Sequence, residues 1–303
     1  MTPAPETIRA ALWCMRLGHV APDLASWAAA VEARTAEAAA RGAEVLVMPE
    51  WIAKQWLAFA PANLTGPEEV AWLAERTPEA LALIRPLAAR HGIALLPGSM
   101  PVHSPDRSPP WLNRAHIFLP DGTEFHHDKL CLTPSERDPD DWNLSTGSVV
   151  RTFDLNGARA AILICLDIEL PALSARLAAA GIDILLVPSY TSRLSGYSRV
   201  FSCARARAVE LLCTVCVVGC FGEFRTANGT AFQSTAGASV YVPCEPELGM
   251  TGVLEELPPR ETGEDAGPLL VADIPVGRIR RLRNESTGEV WPGAWDASGI
   301  TVS

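Results

Sequence analysis

The sequence predicts a mixed α/β fold, and three observations carry that expectation. Short apolar runs rich in Val, Ile and Leu recur along the whole chain, as buried strands do. Stretches with helical spacing separate several of them. A hairpin signal near the middle and a strand-rich last third then argue for mixed rather than wholly parallel sheets.

Taken in order, the strand candidates are "IRAALWCM" (8–15), "AEVLVMP" (43–49), "IALLPGS" (93–99), "RAHIFLP" (114–120), "ARAAILIC" (158–165), "IDILLVPSY" (182–190), "CTVCVVGC" (213–220), "GASVYVP" (237–243) and "PLLVADI" (268–274). Between the first two, residues 23–41 carry Leu24, Trp27, Ala28 and Val31 at three-and-four spacing, with Asp23 as N-cap and Gly42 as stop. Thr77-Pro78-Glu79 predicts a second helix start, with proline in the first turn. Pro171 to Gly181 reads as a third helix and the stretch from Phe201 to Leu211 as a fourth. Asp121-Gly122, between "AHIF" and "TEFHH", closes a hairpin. The Pro/Ser-rich 103–110 and the acidic 245–267 read as surface loops. With no internal repeat and no long linker, residues 1–303 read as one domain, with a C-terminal tail from about 283.

Of the 303 residues, 48% are hydrophobic and 20% charged, ample for a large core. The net charge of −10, without a basic run or interleaved aromatic and basic residues, argues against nucleic acid and anionic membrane as partners. The N-terminus lacks a secretory pattern. The longest uncharged apolar stretch, 211–222, is far short of a membrane helix. Most of the eight cysteines sit inside apolar runs, as reduced core thiols do, so a cytoplasmic protein is expected.

Three strand ends carry reactive groups: Glu50 after "VLVMP", Lys129 after "FHHD" and Cys165 after "AILI". Functional side chains collect beyond strand ends, where loops build a cleft. Singly each has a bland explanation: a helix-start acid, a solvated lysine, a core thiol. Together they suit acyl transfer. A thiol becomes a nucleophile when a base takes its proton, and a lysine with a backbone N–H can hold the developing oxyanion.

The order "MPE", "DKLCLTPSE", "CLDIELP" resembles the Glu-Lys-Cys arrangement of the nitrilase superfamily of carbon–nitrogen hydrolases. "NRAHIFLPDG" (113–122), "VPSYTSR…ARARAVE" (187–210) and "GASVYVP" extend the likeness over nearly the whole chain. The resemblance implies a four-layer αββα sandwich of two mixed sheets covered by helices, paired into a homodimer or larger homo-oligomer. It implies Glu50 as general base, Cys165 as nucleophile and Lys129 as oxyanion-stabilising cation. Glu136 resembles a second glutamate that positions substrate or lysine, and the Leu166 N–H would be the other oxyanion donor. The implied chemistry is hydrolysis of a small-molecule amide through a Cys165 thioester, without metal or organic cofactor.

Leu166 stands where many members have an aromatic, and "CLD" is not the Cys-Trp-Glu of nitrile-specific members. Ile168 and Glu169 replace the arginines of carbamoyl-amino-acid hydrolases. Amide hydrolysis is therefore the default. Nitrile or N-carbamoyl hydrolysis, acyl transfer from the same thioester, and a catalytically silent assembly protein stay as alternatives. Asp167 and Glu169, read as unpaired acids near the cleft, predict that substrates with a carboxylate close to the scissile bond are repelled. Two clusters read as decoys. Cys213 and Cys216 point to opposite faces of a buried strand, with Cys220 in the same run, and His126 and His127 diverge likewise. One of those histidines is expected to support Lys129.

Overall fold

Strand β1 (Ile8–Trp13) sets the architecture by its alternation: Ile8, Ala10 and Leu12 enter one apolar core, while Ala11 and Trp13 enter another on the opposite face. The computed structural model describes residues 5–263, 265–285, 287–290 and 300–301. The same division continues through β2 (Val45–Val47) and β3 (Ala94–Leu96), which run parallel beside β1. Val45, Val47, Ala94 and Leu96 share the first core, whereas Leu46 and Leu95 share the second.

After β3 come β4 (Ser99–His103), β5 (Trp111–Phe118) and β6 (Glu124–Asp128), paired antiparallel with β5 at their centre. The β5–β6 hairpin closes through Asp121, whose Oδ1 accepts the Thr123 N–H at 2.8 Å, and Gly122 at φ +86°. The chain then builds a second sheet from β7 (Thr152–Leu155), β8 (Ala158–Ile162), β9 (Ile184–Pro188) and β10 (Thr214–Val218). A small separate hairpin, β11 (Gly222–Arg225) and β12 (Ala231–Ser234), precedes β13 (Ala236–Tyr241) and β14 (Val253–Arg260), which complete that sheet. Finally β15 (Leu269–Ile274) returns to pair antiparallel with β1. Seven strands form the first sheet and six the second, and the core between them is the first of the two above.

Helices α1 (Leu24–Ala40), α2 (Gly66–Ile84) and α3 (Pro86–His91) cover the outer face of the first sheet through Trp27, Val31, Leu73 and Leu87. After the short α4 (Pro134–Arg137), α5 (Pro171–Ala178) and α6 (Leu194–Glu210) pack on the second sheet through Leu177, Phe201, Ala204 and Ala208. The layers are thus helix, sheet, sheet, helix. α7 (Val276–Asn284) buries Ile279 and Leu282 against Val242 and Leu248. Its Arg280 and Arg283 both pair with the buried Asp183. The tail expected from about 283 thus starts inside this helix, and most of 290–303 lies outside the described residues.

Two expectations are corrected. Thr77-Pro78 does not open a helix, because α2 begins twelve residues earlier on a capping box in which Thr65 and Glu68 bond reciprocally. Pro78 sits inside it, and Thr77 Oγ1 donates to the Leu73 carbonyl at 3.2 Å and the Pro101 carbonyl at 2.8 Å. Nor is 245–267 only loop. Its middle is β14, an edge strand with register shifts against β13, and an edge tolerates the prolines and charges that disguised it. The expected helix over 23–41 forms as α1, with the Asp23 side chain accepting from Ser26 N at 2.7 Å.

Candidate active site

Glu50, Lys129, Glu136 and Cys165 meet at one end of the sandwich, where they line a single cleft of about 760 Å³. Glu50 follows β2 through Met48 and Pro49. Gly98, at φ +68°, lies so close to the Pro49 carbonyl that any Cβ would collide with it, so the turn after β3 clamps this loop. The next residue, Trp51, sits in the left-handed region at φ +58° with its N–H on Ser99 Oγ at 3.3 Å. Cys165 lies just past β8 and is left-handed too, at φ +47°. A non-glycine residue there costs about 1–3 kcal/mol and persists only where the surroundings impose it. The thiol turns from the strand into the cleft and contacts the Tyr190 carbonyl at 3.5 Å.

Lys129 follows β6, its N–H bonded to the Asn113 carbonyl at 2.9 Å. Its Nζ donates to Glu50 Oε1 at 2.7 Å and to Glu136 Oε1 and Oε2 at 2.8 and 2.7 Å. Glu136 is held by the capping box that starts α4, its Oε2 accepting Thr133 N–H at 2.9 Å. Asn113 bridges the two acids, donating from Nδ2 to Glu50 at 2.9 Å and Glu136 at 3.2 Å. Trp51 Nε1 donates to Glu136 at 3.3 Å. Glu136 thus bonds the lysine directly.

One ammonium facing two carboxylates, all three side chains 1% exposed, makes strong fields. Burial pushes Glu50 up to about 7, with Lys129 opposing and Glu136 assisting. For Glu136 burial acts upward too, but Lys129 and the hydrogen bonds to it outweigh that and leave the acid below its ordinary value. Lys129 is lowered by burial yet carried well above the usual lysine range by Glu136 and Glu50. Burial, then Glu50, hold the Cys165 thiol well above its usual range. At neutral pH the set therefore comprises a neutral thiol, a firm cation, a firm anion at Glu136 and an acid near half-ionisation at Glu50.

Leu166 lines the cleft beside Cys165. Its N–H precedes the first hydrogen bond of the helical turn 165–169, which runs from Asp167 N to the Ile164 carbonyl at 3.0 Å.

Asp167 and Glu169 are not the unpaired cleft acids expected. Asp167 is fully buried and points away, its Oδ1 taking the N–H groups of Leu130 and Cys131 at 3.0 and 2.8 Å. Its Oδ2 takes the Ile164 N–H at 3.1 Å and contacts His127 Nε2 at 3.0 Å. Glu169 is paired with Arg199 at 2.8 Å. With Asp167 turned away among its own partners and the Glu169 charge paired through Oε2 with Arg199, these acids no longer supply the basis for repelling carboxylates. The Asp167 carboxylate instead ties His127 and the Leu130 and Cys131 backbone, on either side of Lys129, to the turn that carries Cys165. Replacing Asp167 with alanine leaves several buried donors unpaired. It should destabilise the fold by about 3 kcal/mol or more, summed over those donors at roughly 1–3 kcal/mol each. Urea titration checks this, and a change under 1 kcal/mol, on the scale of an ordinary surface substitution, would count against the buttress.

The sequence reading missed Asn113, Trp51 and Lys54. Asn113 had a signal, since it shares the inward face of β5 with Ala115 and Ile117, where an unpartnered amide would be costly. Lys54 lies in the helical turn after Glu50 and is 8% exposed, among aromatic rings. Burial pulls it down to about 8, opposed chiefly by Glu69. The expected cysteine decoys are core residues: Cys213, Cys216 and Cys220 are fully buried free thiols. No helix among the described residues is long and apolar enough to cross a membrane.

Comparison with known proteins bears on the fold and the family. A probable hydrolase of Bacillus subtilis, YhcX, is 30% identical over 241 residues, 80% of this chain, which spans only 45% of that protein's length. The hydrolase Rv0480c of Mycobacterium tuberculosis is 26% identical over 252 residues, covering 82% of this chain and 83% of that protein. Among solved structures, an amidase from Nesterenkonia sp. superposes with a TM-score of 0.65 at 22% identity, over 95% of this chain and 98% of that one. A mutant of the Nesterenkonia sp. AN1 amidase, in complex with butyramide, gives 0.64 at 22% identity, over 94% and 98%. These likenesses establish the fold. The family profile described as carbon-nitrogen hydrolase matches residues 9–284, nearly the full length of the sandwich. This chain belongs to the carbon–nitrogen hydrolase family.

Proposed function

We propose that the protein hydrolyses a small amide through a thioester on Cys165, with Glu50 as general base, Lys129 and the Leu166 N–H as oxyanion donors, and Glu136 holding Lys129. One observation carries the reading: a buried thiol in strained backbone faces the same cleft as a carboxylate whose proton affinity lies near neutrality, and a lysine bonded to that carboxylate. The butyramide complex of the amidase with the same fold supports an amide substrate, and another of its variants, with the acetamide moiety of fluoroacetamide added covalently at the active-site cysteine, supports a nucleophilic thiol.

In this mechanism Glu50 takes the thiol proton as Sγ attacks the carbonyl carbon. Protonation of Glu50 weakens its bond to Lys129 Nζ, which frees an N–H for the new oxyanion at the moment that charge appears. The oxyanion then collapses, the carbon–nitrogen bond breaks, and Glu50 gives its proton to the leaving nitrogen. In the second half Glu50 takes a proton from water, whose oxygen attacks the thioester. The carbon–sulfur bond breaks, an acid is released, and Glu50 returns the proton to the sulfur. The shared core between the two sheets supports treating residues 1–303 as one hydrolase domain.

Two measurements test the reading. Ammonia release is assayed over a panel of primary amides, carbamoyl compounds and nitriles, with primary amides expected to lead. The pH dependence of kcat/KM reports the base in the free enzyme. Because Glu50 must be ionised and burial pushes it to about 7, kcat/KM should rise roughly tenfold per pH unit below 7 and level off above it. A rising limb that keeps its position and height in Glu50→Gln would show that Glu50 is not the base.

A further inference from the structure

Most of the buried charges around the cleft are accounted for within the protein. Lys129 is bonded to Glu50 and Glu136, and Glu69 accepts the Ala227 N–H at 2.6 Å. Lys54 is the exception. Its ammonium lies 4.0 Å from the Trp142 ring, 4.8 Å from Phe224 and 4.9 Å from Tyr190, with Trp51 at 5.8 Å. Among the described residues no carboxylate or carbonyl is in hydrogen-bond or ion-pair contact with it.

Ring faces attract a cation but do not satisfy its three N–H donors. A buried ammonium with unspent donors gains from an anion that arrives with lone pairs, and exclusion of water makes the pairing stronger than at a surface. The ammonium borders the same cleft as Cys165. Tyr190 connects the two points, its carbonyl against the thiol and its ring against Lys54. The acids that Lys54 feels, Glu69 first and Asp141 after Cys220, keep it charged despite burial without occupying its donors.

From this placement we infer that Lys54 is the specificity residue of the cleft and anchors an anionic group, in the simplest case a carboxylate, at the far end of the acyl chain of the amide. The inference rests on the amide-hydrolase reading. It names the substrate class as amides that carry a distal anion, such as the half-amides of short dicarboxylic acids. The trapped sites differ in role: Glu50 and Cys165 handle the scissile bond, whereas Lys54 reads the other end of the molecule.

Succinamate and glutaramate are compared with butyramide, which lacks the carboxylate. Wild-type kcat/KM should favour at least one half-amide over butyramide by about tenfold or more, the scale of a charge-assisted hydrogen bond. Lys54→Met keeps the apolar stem and should collapse that ratio toward one, mainly through KM, while Lys54→Arg should retain part of it. A wild-type ratio near one overturns the inference, as does a ratio unchanged in Lys54→Met; the wild-type ratio decides alone if that variant fails to fold. Binding of the same compounds to Cys165→Ala and to Cys165→Ala/Lys54→Met, by calorimetry, separates the two readings. Lys54-dependent succinamate binding with no ammonia from any amide would sink the hydrolase reading and leave the anchor standing. Hydrolysis of butyramide without that dependence would do the reverse.

Discussion

Cys165→Ala is expected to lose at least about 1000-fold in ammonia release, the scale for removing a covalent nucleophile, while keeping the wild-type fold. Cys165→Ser should be comparably inactive. A serine hydroxyl holds its proton far more tightly than a thiol, and a base near 7 cannot remove it well. Stability should move little, since the thiol contributes only weak hydrogen bonds, to the Tyr190 carbonyl and with Glu50, and the left-handed strain is the same for every non-glycine residue. Circular dichroism and urea titration establish the fold, and turnover is measured on the same sample. Retention of more than a tenth of the wild-type rate in Cys165→Ala would end the thioester mechanism. Rapid alkylation offers a second view. Because Cys165 lines the cleft beside a base, it should react before the fully buried Cys213, Cys216 and Cys220.

The second large effect belongs to Lys129. Lys129→Ala should lower kcat by roughly 100-fold or more, the loss of one oxyanion donor, with KM changing little. It should also destabilise the protein, because Glu50 and Glu136 would remain buried without their shared cation. Breaking a buried pair from one side costs about 3–5 kcal/mol. The stability loss should be greatest at neutral and alkaline pH, where both acids would have to carry charge, and should shrink on acidification as they take up protons. Rates must therefore be normalised to folded protein. A loss confined to KM, with kcat intact, would assign the lysine to substrate binding instead.

How much was legible in the sequence follows from the range of the forces involved. Strands and helices with a strong local pattern could be read directly: Asp23, Leu24, Trp27 and Val31 specify α1, and Asp121-Gly122 specifies the β5–β6 turn. Each pattern lies within a few residues, where capping and hydrophobic spacing act. Where local signals competed, the fold chose. Pro78 looked like a helix start but is carried inside α2, because packing of its apolar face outweighs one missing hydrogen bond. The prolines and acids of 253–260 looked like loop but form an edge strand, where only one side must pair.

The amino-acid sequence by itself determined the family likeness, the mixed α/β class and which three strand ends carry reactive side chains, because order and residue type are properties of the chain. Only the tertiary structure decided how those side chains are charged and what surrounds them. Glu50 is pushed up to about 7 because packing buries it, with Lys129, 79 positions away, opposing that rise and Glu136, 86 positions away, adding to it. Asp167 buttresses the lysine segment because β6 and the turn after β8 come together. Among the described residues Lys54 has ring faces rather than a carboxylate around it, because rings from four separate segments enclose it. Desolvation and charge pairing depend on distance through space, and distance through space is set by packing rather than by separation along the chain.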